Sequence, residues 1–304
     1  MIHGSRQPRF DWAACRALAF VLVVCGALAA LGGCGAPAGG GHGIITFGPH
    51  VTEVVFALGE GGRVIAVDDY SDYPPAVAAL PKVGANINPA LEKIALLAPE
   101  MMLVAGANEK VTAHARLNEI LVFNVHMDSF ETMGKGIAKI GRLLNCPAEA
   151  EALCAQLEAD IAAFREALSE LEPRTVLIIT GRQTHDLNTL HTVGGTSFVS
   201  EMVELAGAKN IFHATEQPYF EASKETLVKR APEAIVEFHC GQGLTQKQRD
   251  AYRQDWDALP TLPAVRSNRI YFVTAAHGLR PGPRILDIAR ELAFKLHPEA
   301  RMLL

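Results

Sequence analysis

Beyond its first 34 residues this chain has no apolar run long enough to cross a bilayer. Positive charge is also in short supply. The chain carries 28 Lys and Arg against 33 Asp and Glu, a net charge of −5. That balance argues against nucleic acid, and against an electrostatically held membrane surface, as a partner. Cysteine does not build a framework either. Of six, Cys15, Cys25 and Cys34 fall in the N-terminal leader, leaving Cys146, Cys154 and Cys240. An odd number excludes complete pairing. Cys146 and Cys154 are two helical turns apart, about 12 Å, which is beyond the reach of a disulfide. All three read as small buried hydrophobes. Catalytic signatures are missing as well. There is no Gly-x-Ser-x-Gly elbow, phosphate loop, dinucleotide fingerprint or His-Glu-x-x-His zinc motif. The glycine-rich stretch Gly39–Gly43 precedes the first strand and cannot serve as a strand-to-helix phosphate turn. The expectation is a protein that is not an enzyme, has no cofactor of its own and holds no bare zinc site.

What is present begins with a leader. Arg6, Arg9 and Arg16 give a basic start, and Ala17–Ala30 forms a short apolar core. Leu31-Gly-Gly-Cys34 then resembles the lipobox of bacterial lipoproteins, which implies cleavage before Cys34 and lipidation of its sulfur. Residues 1–33 are therefore expected to be a signal peptide and 34–43 a flexible tether. The membrane is touched only through the lipid. The folded part is expected in the cell envelope, on the periplasmic side of a membrane or on the extracellular face. Removing 33 residues takes three Arg and one Asp with it, leaving 271 residues and a net charge of −7. That length is enough for two lobes with sizeable cores.

One phrase occurs twice. Glu92-Lys-Ile-Ala-Leu-Leu-Ala-Pro-Glu100 precedes an apolar run, and so does Glu225-Thr-Leu-Val-Lys-Arg-Ala-Pro-Glu233, 133 residues later. Each reads as a short helix stopped by proline and followed by a buried strand. A second pair supports duplication. Thr52-Glu53-Val54-Val55 resembles Ser200-Glu201-Met202-Val203, each after a glycine turn that follows a β-like run, Ile44–Phe47 or Leu190–Val193.

Strand candidates at Arg63–Val67, Met101–Ala105 and Leu121–Val125 alternate with helical stretches in the rhythm of a parallel sheet covered by helices. A long helix follows. Ala150, Leu153, Leu157, Ile161, Phe164, Leu168 and Leu171 recur every three or four residues between Pro147 and Pro173. It would run roughly 35 Å and reads as a spine between two similar halves. Arg174–Thr180, Ala234–Phe238 and Arg269–Val273 are strands of the second half, which ends in a helix over Ile285–Leu296. The fold class expected is α/β: an N-terminal lobe 44–145, a spine helix 146–172 and a C-terminal lobe 173–304.

These residues resemble the substrate-binding proteins of ABC importers for vitamin B12, haem and ferric siderophores, over nearly all of residues 43–298. Asp69-Tyr-Ser-Asp-Tyr-Pro-Pro75, Leu80-Pro-Lys-Val-Gly84 and Leu91-Glu-Lys-Ile with Ala98-Pro-Glu100 carry the likeness in the first half. Gly194-Gly-Thr-Ser-Phe198, Ala206-Gly-Ala-Lys-Asn-Ile211, Ser223-Lys-Glu225 and Arg280-Pro-Gly-Pro-Arg284 carry it in the second. The resemblance implies two Rossmann-like lobes joined by the spine helix, with the ligand between them. The chain is expected to act as a monomer that hands a corrinoid, haem or ferric chelate to a dimeric ABC permease. It implies that Glu92 and Glu225 dock on permease arginines. First-turn glutamates are also favoured by the helix dipole, and the two readings are compatible.

In open α/β sheets a ligand binds beyond the carboxyl ends of the strands. The ligand-binding candidates there are His50, Tyr70 and Asn86 in the first lobe, and Phe198, Tyr219, His277 and Arg280 in the second. By resemblance Tyr70 and Tyr219 hold aromatic positions and Arg280 a cleft arginine. Asn86 and Ala105 stand where B12-binding members carry tryptophan, and Ala276 where they carry aspartate. His50 or His277 could coordinate the metal of a bound chelate. Arg284 is read instead as a structural pair or a helix cap.

Overall fold

The computed structural model describes residues 43–304; the leader, Cys34 and the tether lie outside them. The first half runs β1 (Ile44–Phe47), α1 (Pro49–Ala57), β2 (Val64–Val67), β3 (Gly84–Ala85), β4 (Asn88–Pro89), α2 (Leu91–Leu97), β5 (Met101–Ala105), α3 (Glu109–Leu117), β6 (Leu121–Val125) and α4 (Phe130–Leu143). Helix α5 (Pro147–Ala167) leads into the second half. That half runs β7 (Arg174–Ile179), β8 (Leu190–Val193), α6 (Phe198–Leu205), β9 (Ala208–Asn210), β10 (Tyr219–Ala222), α7 (Lys224–Arg230), β11 (Ala234–Phe238), α8 (Gln246–Asp255), α9 (Pro263–Arg266), β12 (Ile270–Val273) and α10 (Ile285–Leu296).

Each half is built on one four-stranded sheet, ordered β2-β1-β5-β6 in the first and β9-β7-β11-β12 in the second. Every pairing in both is parallel. Read by position in the chain, both orders are second, first, third, fourth, so the two lobes share one topology. The strands are short apolar runs because helices cover both faces; β1 and β11 are buried along their whole length.

The repeated phrase is a repeated structure. Helices α2 and α7 are both seven residues long, with Glu92 and Glu225 in their first turns. Both stop at an alanine in the left-handed region, Ala98 (φ 43°) and Ala231 (φ 48°). The proline that follows cannot extend a helix. The closing glutamates are then tied to the start of each lobe's first sheet strand. The Glu100 N–H donates to the Gly43 carbonyl and the Glu233 N–H to the Thr175 carbonyl. The Glu233 carboxylate also accepts from the Thr175 backbone N–H at 2.8 Å and hydroxyl at 2.9 Å, which holds its carboxyl below the usual range.

The match between Ile44–Phe47 and Leu190–Val193 is corrected. β8 belongs to a separate antiparallel pair with β10, and β7 is the counterpart of β1. The chain turns back after β7, so that the Thr180 N–H donates to the His191 carbonyl and the His191 N–H to the Gly181 carbonyl. The turn after β8 then packs on backbone: a Cβ at Gly195 would lie 1.9 Å from the His213 carbonyl oxygen. Only glycine fits so close an approach.

The spine is shorter than its periodicity predicts. Helix α5 ends at Ala167 after 21 residues, about 31 Å. The Ser169 hydroxyl donates to the Glu166 carbonyl at 2.7 Å, a local bond that competes with continued helix. Ala150, Leu157 and Phe164 are its buried residues, seven apart. Ala150 and Leu157 join the core of the first lobe, whereas Phe164, followed by Leu168, joins that of the second. All three cysteines of the described residues are free. Cys146 is buried, whereas Cys154 and Cys240 are only partly so, a correction to the expectation of three core residues. No described helix is long and apolar enough to cross a membrane.

Candidate functional site

Parallel strands point their carboxyl ends, and the loops that follow, toward one edge of each sheet. In a strand–helix–strand unit the helix runs back against the strands, so its first turn returns to that same edge. This puts Glu92 and Glu225 on the rim of their respective lobes, and both are exposed.

Loops from both lobes meet in direct contacts. Arg280, after β12, donates to the two carboxylate oxygens of Asp72 at 2.5 and 3.2 Å and to the Tyr70 carbonyl at 3.1 Å. Its pull holds the Asp72 carboxyl below the ordinary value. Arg284 pairs bidentately with Glu53 at 2.9 and 2.5 Å. Its guanidinium also lies 3.8 Å from the centroid of the Tyr73 ring, within cation–π range. The expectation of a structural pair at Arg284 describes this contact; Glu53, Asp72 and Tyr73 were not among the candidates.

His50 is the second residue of α1 and lies against Gly282 of the other lobe, where a Cβ would come within 3.4 Å of the His50 Cβ. Burial lowers the His50 pKa to about 4, with Asp128 opposing and Arg280 reinforcing the shift. At neutral pH the ring is therefore uncharged and keeps a free nitrogen lone pair. From pH 6.5 down to about 4 an unfolded chain would protonate this ring while the folded one would not, so acidification over that window opposes folding. Burial, with Arg284, also lowers the pKa of His277. Its Nδ1 faces the Arg284 guanidinium at 3.3 Å, and its Nε2 is buried without a hydrogen-bond partner, 3.8 Å from Asp287.

The remaining candidates differ. Tyr70 and Tyr219 are exposed, at 61% and 49%. Partial burial, then the Asp128 charge, raises the Tyr219 pKa. Asp128 thus acts on both His50 and Tyr219, one from each lobe. Asn86 is engaged within its own lobe, donating to the Ala105 carbonyl and accepting from Asn108. The Phe198 side chain is only 4% exposed and belongs to the core of the second lobe; what it presents at the lobe boundary is its backbone N–H, 2.8 Å from the Asp128 carbonyl. A hollow of about 780 Å³ opens beside Tyr219, lined also by Thr180, Gly181, His191 and Glu221. A smaller apolar hollow of about 290 Å³ lies between α4 and α5 and touches none of the candidates.

Beneath the second-lobe loops sits a buried polar network. The Arg182 side chain is fully buried and pairs with both oxygens of equally buried Glu237, at 3.1 and 3.0 Å, and with Asp255 at 2.7 Å. Glu237 also accepts from the Trp256 indole N–H at 2.5 Å and meets His239 Nε2 at 2.9 Å. The network ties the loop after β7 to β11 and to the end of α8.

Residues 44–276 match the family model of periplasmic binding proteins. The chain is 28% identical over 264 residues to the ABC transporter substrate-binding lipoprotein YvrC of Bacillus subtilis, covering 84% of this chain and 80% of that one. It is 26% identical over 253 residues to the vitamin B12-binding protein of Vibrio parahaemolyticus, covering 82% and 87%. In fold it is similar to the periplasmic haem-binding protein RhuT of Roseiflexus sp. RS-1, with a TM-score of 0.70 at 24% identity over 86% of this chain and all of that one. With that model matching most of the described residues, the chain belongs to the periplasmic binding protein family.

Proposed function

We propose that this protein captures a corrinoid or an iron chelate outside the cytoplasm and delivers it to the permease of an ABC importer. The observation that carries the reading is the meeting of loops from two lobes. It gathers the exposed aromatic faces of Tyr70 and Tyr219, the uncharged imidazole of His50 and the Arg280 guanidinium at one boundary. Such a set suits a large flat metal complex, with stacking on the rings and a cation for peripheral carboxylates or amides. The B12-binding relative supports the corrinoid. Its family is one of transport binding proteins, and catalysis is not required of it.

Haem is the second reading, and His50 favours it. A half-buried imidazole held neutral is ready to coordinate iron without first losing a proton. Absorbance and tryptophan fluorescence titrations against cyanocobalamin, hemin and a ferric siderophore separate the possibilities. The expected result is saturable binding of one of the three. A Soret shift that disappears in His50→Ala selects haem, and failure to bind any of them overturns the proposal.

Anchoring through Cys34 completes the reading, supported by the motif itself and by the lipoprotein among the relatives. The full chain is expected in the membrane fraction and Cys34→Ser in the soluble one. Equal partition of the two would remove the lipid from the proposal.

A further inference from the structure

The sequence contains a second duplicated glutamate pair, Glu53 and Glu201, and neither member lies on the rim. Glu53 is on α1 and only 4% exposed. It crosses to the second lobe and holds Arg284, the residue immediately before α10. Glu201 is in the first turn of α6. It crosses in the opposite direction and accepts the backbone N–H of Phe130, the first residue of α4, at 2.6 Å. Helix α4 follows the last strand of the first sheet and α10 the last strand of the second. Equivalent glutamates therefore reach equivalent helix starts in the opposite lobe.

The neighbouring contacts obey the same exchange. His50, three residues before Glu53, lies against Gly282 in the loop before α10. Phe198, three residues before Glu201, donates its N–H to the Asp128 carbonyl in the loop before α4. Four contacts on two sides of the boundary are thus related by the internal duplication. Local helix preference does not explain them, because both carboxylates leave their own helix and satisfy a donor of the other lobe.

We propose that Glu53 and Glu201 are a duplicated pair of positioning residues that staple each lobe to the start of the other lobe's last helix and so fix the width of the cleft. The two staples differ in chemistry. Glu53 holds a guanidinium in a bidentate ion pair, also 3.6 Å from Arg280, so its charge matters. Glu201 accepts from a neutral amide, which needs an acceptor oxygen but no charge. Burial raises the Glu201 pKa, in keeping with a bond screened from water.

Residual dipolar couplings on the ¹⁵N-labelled protein test this without reference to any ligand. One alignment frame is expected to fit both sheets in the wild type. Separate frames are expected in Glu53→Ala and in Glu201→Ala, and the Phe130 amide is expected to exchange about tenfold faster or more in Glu201→Ala. Glu201→Gln is expected to restore the wild-type frame, while Glu53→Gln behaves like Glu53→Ala. A merely structural role predicts lower stability with the single frame intact. That result, or unchanged exchange at Phe130, overturns the proposal, and the glutamine variants supply the same comparison should either alanine variant fail to fold.

Discussion

Replacing Glu92 and Glu225 together by alanine is expected to cut uptake into permease-bearing vesicles about tenfold or more while leaving ligand affinity unchanged. The two carboxylates sit in corresponding first turns of corresponding helices, exposed on the rims of two lobes with one topology. A partner with two-fold symmetry would meet both at once, and charge pairing at such a rim mainly governs encounter and orientation. Each single variant should lose less than the pair, and raising the salt concentration should weaken the wild type toward the variants. Uptake measured beside a cyanocobalamin or hemin titration separates docking from capture. Loss of ligand affinity in the variants would move these glutamates into the cleft, and normal uptake would end the docking proposal.

The largest loss of stability is expected from Arg182→Ala. The substitution leaves Glu237 fully buried with its countercharge gone. Breaking a buried pair on one side costs about 3–5 kcal/mol, and in a chain of this length that lowers Tm by about 10 °C. The loss should be smaller in Arg182→Met with Glu237→Gln. The amide there keeps an acceptor for the Trp256 indole and removes the Glu237 charge, while Asp255 keeps its bonds from His185. Thermal and denaturant unfolding read both variants. A cost below about 1 kcal/mol for Arg182→Ala would mean that water reaches the network, contrary to its burial.

The sequence made most of the sheet strands legible because they are short apolar runs, Met101–Ala105 and Ala234–Phe238 each following an Ala-Pro-Glu stop. Met101–Ala105, Leu121–Val125 and Ala234–Phe238 are strands with those limits, and Ile285–Leu296 is a helix with those limits. The duplication was also legible, since both copies keep the same stop, alanine before proline, whatever lies between. Pairings between distant residues were not. Arg280 reaches Asp72 across 208 residues and Arg284 reaches Glu53 across 231, and no local pattern records such partners. Phe198 shows the same limit in reverse. It follows a glycine turn at the cleft edge, which marked it as a ligand contact, yet its ring packs inward and only its backbone stays at the boundary. β8 looked like the opening strand of the second lobe because a glycine turn and a helix follow it. Its antiparallel partner β10 comes more than twenty residues later, beyond any local signal.

The spine bears on how such a molecule can be taken apart. Because Leu157 completes one core and Phe164 the other, the frontier between the lobes runs through the middle of a continuous helix and avoids its flanking loops. A chimera that borrows one lobe from a relative must therefore be spliced inside that helix, between those two side chains. A junction at either end would hand each half a core with its keystone missing.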